Sequence, residues 1–182
     1  MLIGPGTYDK ETGFKYDKPS ERIMVDRFFH IHNFLSLLAQ PEEVDRVIIT
    51  DVRDVVFQSD PSDCLDELIY PGGTDIILGS ENIRYRDEPW GANNVQKAFG
   101  QYFYEKLENR EIYCAGVIAG GLELIKDLCL NLWMICSGAP ASVPGGGGPD
   151  QAALNILATM YPLSERMFLS IPTDGWIGRA HV

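Results

Sequence analysis

The spacing of apolar residues along the chain predicts helices that alternate with short buried strands. An apolar stripe at alternating steps of four and three residues runs from just after Pro19-Ser20 to Pro41, which is the pattern of an amphipathic helix. The stripe consists of Met24, Phe28, Ile31, Leu35 and Leu38. A second helix is predicted over roughly 122–136, and a third begins at Pro149-Asp150 and continues to about Met160.

Short runs of β-branched and other apolar residues predict the strands. They cover residues 47–50, 75–78, 112–118 and 167–171, and a fifth strand is predicted over 176–182. Successive apolar residues are typical of strands that are buried on both faces. Because such strands alternate with helices, the sequence predicts an α/β domain with a mixed, mostly parallel sheet flanked by helices.

Composition narrows the possible partners. The 182 residues are 45% hydrophobic and 23% charged, which is typical of one globular domain. The formal net charge is -11, with 26 acidic against 15 basic residues, so nucleic acid and anionic membrane surfaces are poor partners. A diphosphate ligand would also be repelled unless a divalent cation neutralised it.

The four cysteines form no C-x-x-C pair and have no histidine at zinc-finger spacing, so we expect buried free thiols. The sequence has no apolar run of transmembrane length and no signal-peptide pattern at its start. These features predict a soluble cytoplasmic protein, or a lumenal part (for instance Golgi) excised from a larger one.

The strongest candidate for chemistry is Asp51-Val52-Arg53-Asp54, which follows the first predicted strand directly. Open α/β sheets bind ligands at strand ends, and Mg²⁺ or Mn²⁺ prefers carboxylate oxygens together with substrate phosphates. Asp51 and Asp54 are therefore candidate metal ligands, and Arg53 is a candidate contact to the donor substrate. A surface ion pair in a strand-end loop is the alternative.

Four further segments contain candidate site residues. Asp150 and Gln151 follow a four-glycine loop, although Asp150 also suits the dipole of a helix start. Ala115 and Gly116 lie in a strand whose small residues admit either a ligand or a closely packed helix. Glu81 belongs to a polar loop, expected to run from Ser80 to Gly91, that could contact a sugar. His181 is a possible late metal ligand.

In chain order these segments resemble a glycosyltransferase of the GT-A fold. The acidic motif, followed by Val55-Val56-Phe57 and then by Asp60-Pro61, is similar to the family's D-x-D segment. Cys114-Ala115-Gly116 resembles its Asn-Ala-Gly strand, and 150–155 resembles the Asp-Gln helix start of glycogenin-like and lipopolysaccharide galactosyltransferase-like members. The resemblance spans roughly residues 20–180.

The resemblance implies a fold, an activity and roles for these residues. It implies a GT-A-like domain that transfers a sugar from a nucleotide-diphosphate donor to a glycan or other hydroxyl acceptor, with Mn²⁺ or Mg²⁺ as cofactor. Asp51, Asp54 and His181 would hold the metal, Ala115 and Gly116 would line the donor site, and the catalytic residues would be Asp150 and Gln151. Retention of stereochemistry is favoured by analogy alone.

The chain departs from the family pattern at two positions. The acidic motif is D-x-x-D, which leaves Val52 where the first aspartate of D-x-D should be, and Cys114 replaces the usual asparagine. Only a loop and one helix precede Val47, so we expect part of the nucleotide-binding half to be missing from 1–182, with weak nucleotide binding and slow turnover. The alternatives are a sugar-phosphate nucleotidyltransferase and a non-catalytic carbohydrate-binding or assembly domain.

Overall fold

A computed structural model describes residues 22–38, 43–51, 55–57, 59–68, 75–140 and 147–171. Within these ranges the protein has six α-helices, two short 3-10 helices and four strands. The helices are α1 (Ile23–Ser36), α2 (Pro61–Leu68), α3 (Pro89–Phe99), α4 (Gln101–Leu107), α5 (Leu122–Ser137) and α6 (Asp150–Leu157). The strands are β1 (Arg46–Thr50), β2 (Ile76–Arg84), β3 (Glu111–Gly121) and β4 (Met167–Ser170).

The four strands form one mixed sheet in the order β1-β3-β2-β4. β3 pairs antiparallel with both of its neighbours, β1 and β2, while β2 and β4 pair parallel. Three strands therefore point the same way and β3 points the opposite way. The predicted α/β class and mixed sheet are confirmed. The prediction of a mostly parallel sheet holds for strand direction but is wrong for the pairings, because the reversed strand lies inside the sheet.

Helices cover both faces of the sheet. The main core joins α1, α5 and α6 to one face, where Ile76, Leu78 and Ile118 are fully buried. Ile77 alternates with these residues and faces the other side, where it packs with Ala119 and with Leu65 of α2. Because successive strand residues point to opposite faces, the all-apolar run of β2 needs cover on both sides.

The segment between β2 and α3 differs from the sequence prediction. The sequence predicts a strand ending near Gly79 and a polar loop up to Gly91. Instead β2 continues to Arg84, a 3-10 helix follows at Tyr85–Asp87, and α3 begins at Pro89. The Glu88 side chain caps α3 by accepting hydrogen bonds from the amides of Trp90 and Gly91, so Trp90 lies in the first turn of a helix.

The remaining predictions agree with the described residues or lie outside them. β1, α1, α5, α6 and β4 form where expected, to within a few residues at their ends. Cys129 and Cys136 are buried free thiols, as predicted. The fifth predicted strand, over 176–182, lies outside the described residues. In the described part of the chain, none of the helices combines the length and apolarity needed to cross a membrane.

Candidate functional site

An arginine on α1 joins two of the carboxylates that the sequence singles out. Arg27 Nη1 donates to Asp51 Oδ1 at 2.6 Å, and Nη2 donates to Asp150 Oδ2 at 2.8 Å. The same Nη2 lies 3.3 Å from the backbone oxygen of Ala115, to which it also donates. Four elements therefore meet at one guanidinium: α1, the end of β1, the middle of β3 and the start of α6. We call Arg27, Asp51, Ala115, Gly116 and Asp150 the Arg27 cluster.

Asp51 is positioned by the backbone of β3. Its amide donates to the carbonyl oxygen of Gly116 at 2.8 Å, which extends the β1–β3 pairing one residue beyond Thr50. The Asp51 side chain then lies directly over Gly116. A Cβ atom added at Gly116 would be 2.6 Å from Asp51 Oδ2 and 3.2 Å from Asp51 Cγ. A glycine is therefore required at 116 for Asp51 to reach Arg27 in this conformation.

Replacing Gly116 with alanine should displace the Asp51 carboxylate and cost about 1–3 kcal/mol of unfolding free energy, because the added methyl overlaps a held side chain. Urea unfolding measures the loss. The matched control is Gly138→Ala, since a Cβ there meets nothing within 4 Å. That change should be neutral or stabilise by about 0.4–1 kcal/mol. Equal stability of the two alanine variants would contradict the close approach of Asp51 to Gly116.

Asp150 is an almost completely buried carboxylate at the start of α6. Its side chain is only 5% exposed, whereas that of Asp51 is 42% exposed. Burial raises the pKa of Asp150, and the Arg27 guanidinium and the first backbone amides of α6 offset part of that rise. The two carboxylates on one arginine thus differ in environment: Asp51 opens to solvent and Asp150 is enclosed.

Gln151 and Asn155 of α6 hold the helix against β3. Gln151 Oε1 accepts from the amide of Ala115 at 3.5 Å. Asn155 makes two bonds to the backbone of Tyr113: its Oδ1 accepts from the amide at 2.9 Å, and its Nδ2 donates to the carbonyl at 2.8 Å. The Asn155 side chain thereby replaces a neighbouring strand at this point of β3. Asn155 is structural, and Gln151 links α6 to the Arg27 cluster.

The end of the glycine loop is packed tightly beside Asp150. A Cβ at Gly147 would lie 2.7 Å from the Trp90 ring, and one at Gly148 would lie 2.7 Å from Met24 Cβ. Asn94, which is 2% exposed, donates from Nδ2 to the Gly148 carbonyl at 3.0 Å. These two glycines allow α1 and α3 to approach the start of α6. Gly147 and Gly148 therefore serve close packing in this structure.

Glu81 lies within β2, close enough to Cys114 for its charge to act on that thiol. Burial is the main cause that raises the pKa of the Cys114 thiol, and the negative charges of Glu81 and Asp51 raise it further. The Gly116 amide donates to Cys114 Sγ at 3.3 Å and acts in the opposite direction. The charges of Glu81 and Asp51 therefore reach the same thiol from two different strands.

The structure thus brings together most of the predicted site residues that it describes. Asp51, Ala115 and Asp150 meet at Arg27, and Gly116 lies against Asp51. Gln151 contacts Ala115, and the charge of Glu81 acts on Cys114. Arg53, Asp54 and His181 lie outside the described residues. Among the described residues no three His, Cys, Asp or Glu side chains are grouped so as to hold a metal ion.

Arg27 is the functional candidate that the sequence interpretation missed. It lies next to the buried positions Val25 and Phe28 of α1, on the inner flank of the apolar stripe. A cation placed there in a strongly acidic protein needs a buried or half-buried carboxylate partner. This position on the helix was the available signal, but the sequence does not say which of 26 acidic residues is the partner.

Comparison with known proteins does not identify a family for the chain. No protein-family model matches the chain, and no curated protein matches it.

Proposed function

We propose that the protein is a metal-dependent glycosyltransferase of the GT-A kind, with its reacting centre at the Arg27 cluster. The observation that carries the proposal is the joining of Asp51 and Asp150 by one guanidinium. Arg27, Asp51 and Asp150 come from three separate segments, and the segments of Asp51 and Asp150 carry motifs that resemble those of the GT-A family. An ordinary surface ion pair does not require a glycine beneath it, or a second carboxylate that is only 5% exposed.

The cluster suits a reaction in which positive charge develops on a sugar carbon. Glycosyl transfer passes through an oxocarbenium-like state, which a nearby carboxylate stabilises. Asp150 is enclosed, so water screens its charge only weakly. Arg27 holds the carboxylate in place before the reaction, so no reorganisation is needed when charge develops.

A divalent metal fits the half-exposed carboxylate of Asp51. One oxygen of that side chain is bound by Arg27, and 42% of the side chain is open to solvent. Mg²⁺-type sites need only one or two protein carboxylates, with phosphates and waters as the other ligands. Asp51 together with Asp54 would hold the ion. When bound, the metal would neutralise the departing nucleoside diphosphate as a Lewis acid.

Replacing Asp54 or Asp51 with asparagine tests the metal site. Titration calorimetry with nucleoside diphosphates, with and without Mn²⁺, should give metal-dependent heat for the parent and none for Asp54→Asn, because asparagine lacks the charge that a hard cation requires. Asp51→Asn should weaken binding less. The two changes should be non-additive because they share one ion.

The control is Asp127→Asn, which removes an exposed carboxylate from α5 and should bind as the parent does. Undiminished Mn²⁺-dependent binding by Asp54→Asn would put the metal elsewhere. Binding of free glycan with no nucleotide binding by the parent would favour the non-catalytic carbohydrate module instead.

A further inference from the structure

A polar groove lies at the far end of β2, away from the Arg27 cluster. It has a volume of about 370 Å³ and is lined by Asn82, Ile83, Arg84, Arg86, Asp87 and Glu111. Five of these six residues are polar or charged, and the two arginines balance the two carboxylates. The groove is therefore hydrophilic without a strong net charge, although the protein as a whole is strongly acidic.

The backbone of β2 is distorted where it forms this groove. Its pairing with β3 shifts register between Leu78 and Ser80 and again between Ser80 and Arg84. Asn82 has a φ of 56°, in the left-handed region that few residues other than glycine and asparagine adopt. Ser80 Oγ accepts from the Asn82 amide at 2.9 Å and donates to Glu111, which fixes this conformation. Bulges of this kind are over-represented at sheet edges and next to active sites.

Two side chains of the groove are available to a ligand. Arg84 is exposed, and its guanidinium has no hydrogen bond or ion pair with any residue that the structure describes. The side-chain amide of Asn82 likewise has none within the described ranges. Arg86 is held in place by donating to Asn109 Oδ1 at 2.7 Å, and it lies 3.6 Å from the Asp87 carboxylate.

We propose that this groove binds the distal part of a neutral oligosaccharide acceptor, an inference that rests on the proposed glycosyltransferase function. Sugar hydroxyls both donate and accept hydrogen bonds, so amide, guanidinium and carboxylate groups side by side match them. The groove carries no net positive charge and the protein as a whole carries -11, so sulfated or phosphorylated glycans are disfavoured as ligands.

The groove lies far enough from the Arg27 cluster that a ligand reaching both must be extended. Glu111 is five residues from Gly116 on β3, which corresponds to about 17 Å along the strand. One sugar ring does not span that distance, so the acceptor must be an oligosaccharide. Glu81 lies between the two places: it precedes Asn82 on β2, and its charge acts on Cys114 beside Gly116.

Binding of the purified protein to immobilised neutral oligosaccharides, without nucleotide or metal, tests the groove. Arg84→Ala should reduce affinity about tenfold, because a hydrogen bond from a charged group is lost. Asn82→Gly should reduce it also, while leaving the melting temperature unchanged or higher because glycine accepts a positive φ without strain. The matched control is Lys97→Ala, which removes an exposed cation from α3 outside the groove and should bind as the parent does.

Three results would overturn the proposal: no binding of neutral oligosaccharides by the parent, binding of anionic chains only, or unchanged affinity in both groove variants. Calorimetry with nucleoside diphosphate and Mn²⁺ separates this failure from failure of the proposed function. The groove variants should retain the parent's metal-dependent heat, because neither residue belongs to the Arg27 cluster.

Discussion

Replacing Arg27 with methionine should lower the free energy of unfolding by about 3 kcal/mol near neutral pH. The variant keeps most of the side-chain volume but leaves the Asp150 carboxylate buried without its cation. Breaking a buried pair by removing one partner typically costs about 3–5 kcal/mol, and the 21% exposure of Arg27 puts this case at the lower end. Urea unfolding of the parent and the variant measures the difference.

The loss should become smaller in acid. Burial already raises the pKa of Asp150, and without Arg27 the rise is no longer offset. A carboxyl group whose pKa is higher in the folded protein than in the unfolded chain stabilises the folded state when it is protonated. This stabilisation is fully present below the pKa of the unfolded chain, and it is lost as the pH rises through the pKa of the folded protein. The variant should therefore recover stability relative to the parent as pH falls from neutral and Asp150 takes up a proton.

Arg46→Met is the matched control for Arg27→Met. The Arg46 side chain is also 21% exposed, but its partners Asp45 and Asp66 are 82% and 68% exposed. Its loss leaves no buried charge, so the cost should be about 1 kcal/mol or less, with no recovery in acid. The double change Arg27→Met with Asp150→Asn should be more stable than Arg27→Met alone. A deficit for Arg27→Met no larger than that for Arg46→Met would contradict the buried pair.

The parts of the fold that could be predicted from sequence are those with a one-sided or fully apolar pattern. α5 buries Ile125, Leu128 and Leu132 on one face, and this periodicity locates it. α3 shows no such stripe, because its buried positions are Gly91, Asn94 and Val95. A helix that packs through glycine and asparagine resembles a loop in hydrophobic pattern. The signal that was available is Glu88-Pro89, a cap followed by proline at the first helical position.

Strand direction could not be obtained from the same patterns. β3 is buried along most of its length, and so are the first residues of β2, yet the two strands run in opposite directions. A strand that is buried on both faces is apolar whichever way it runs, because its burial depends on the layers packed above and below it and not on its direction. The order β1-β3-β2-β4 depends on contacts between distant segments, which no local pattern encodes.

The residues of the candidate site were likewise only partly predictable from the sequence. Asp51, Gly116 and Asp150 could be chosen because polar or small residues interrupt apolar segments there. Arg27 could not be assigned, because its partners are 24 and 123 residues away in the chain. The reason why residue 116 must be glycine is also visible only in the structure, where the Asp51 side chain lies over it.

Replacing Asp150 with asparagine should lower the rate of sugar transfer or donor hydrolysis by about 10²- to 10³-fold, the usual effect of removing one preorganised electrostatic group. If Asp150 served only the dipole of α6, the change would cost about 0.3–1 kcal/mol of stability and leave turnover intact. Because Asp150 also accepts from Arg27 at 2.8 Å, we expect about 1–3 kcal/mol instead.

A second variant tests whether a loss of stability alone would lower the rate of sugar transfer. Ile125→Val shortens a fully buried side chain of α5 and should cost about 0.5–1.5 kcal/mol while the rate remains at the parent's value. Initial rates are measured across a panel of nucleotide sugars with Mn²⁺ at high protein concentration, below the melting temperature of every variant. A folded Asp150→Asn protein that turns over as fast as Ile125→Val would remove Asp150 from the reacting centre and leave it a structural partner of Arg27.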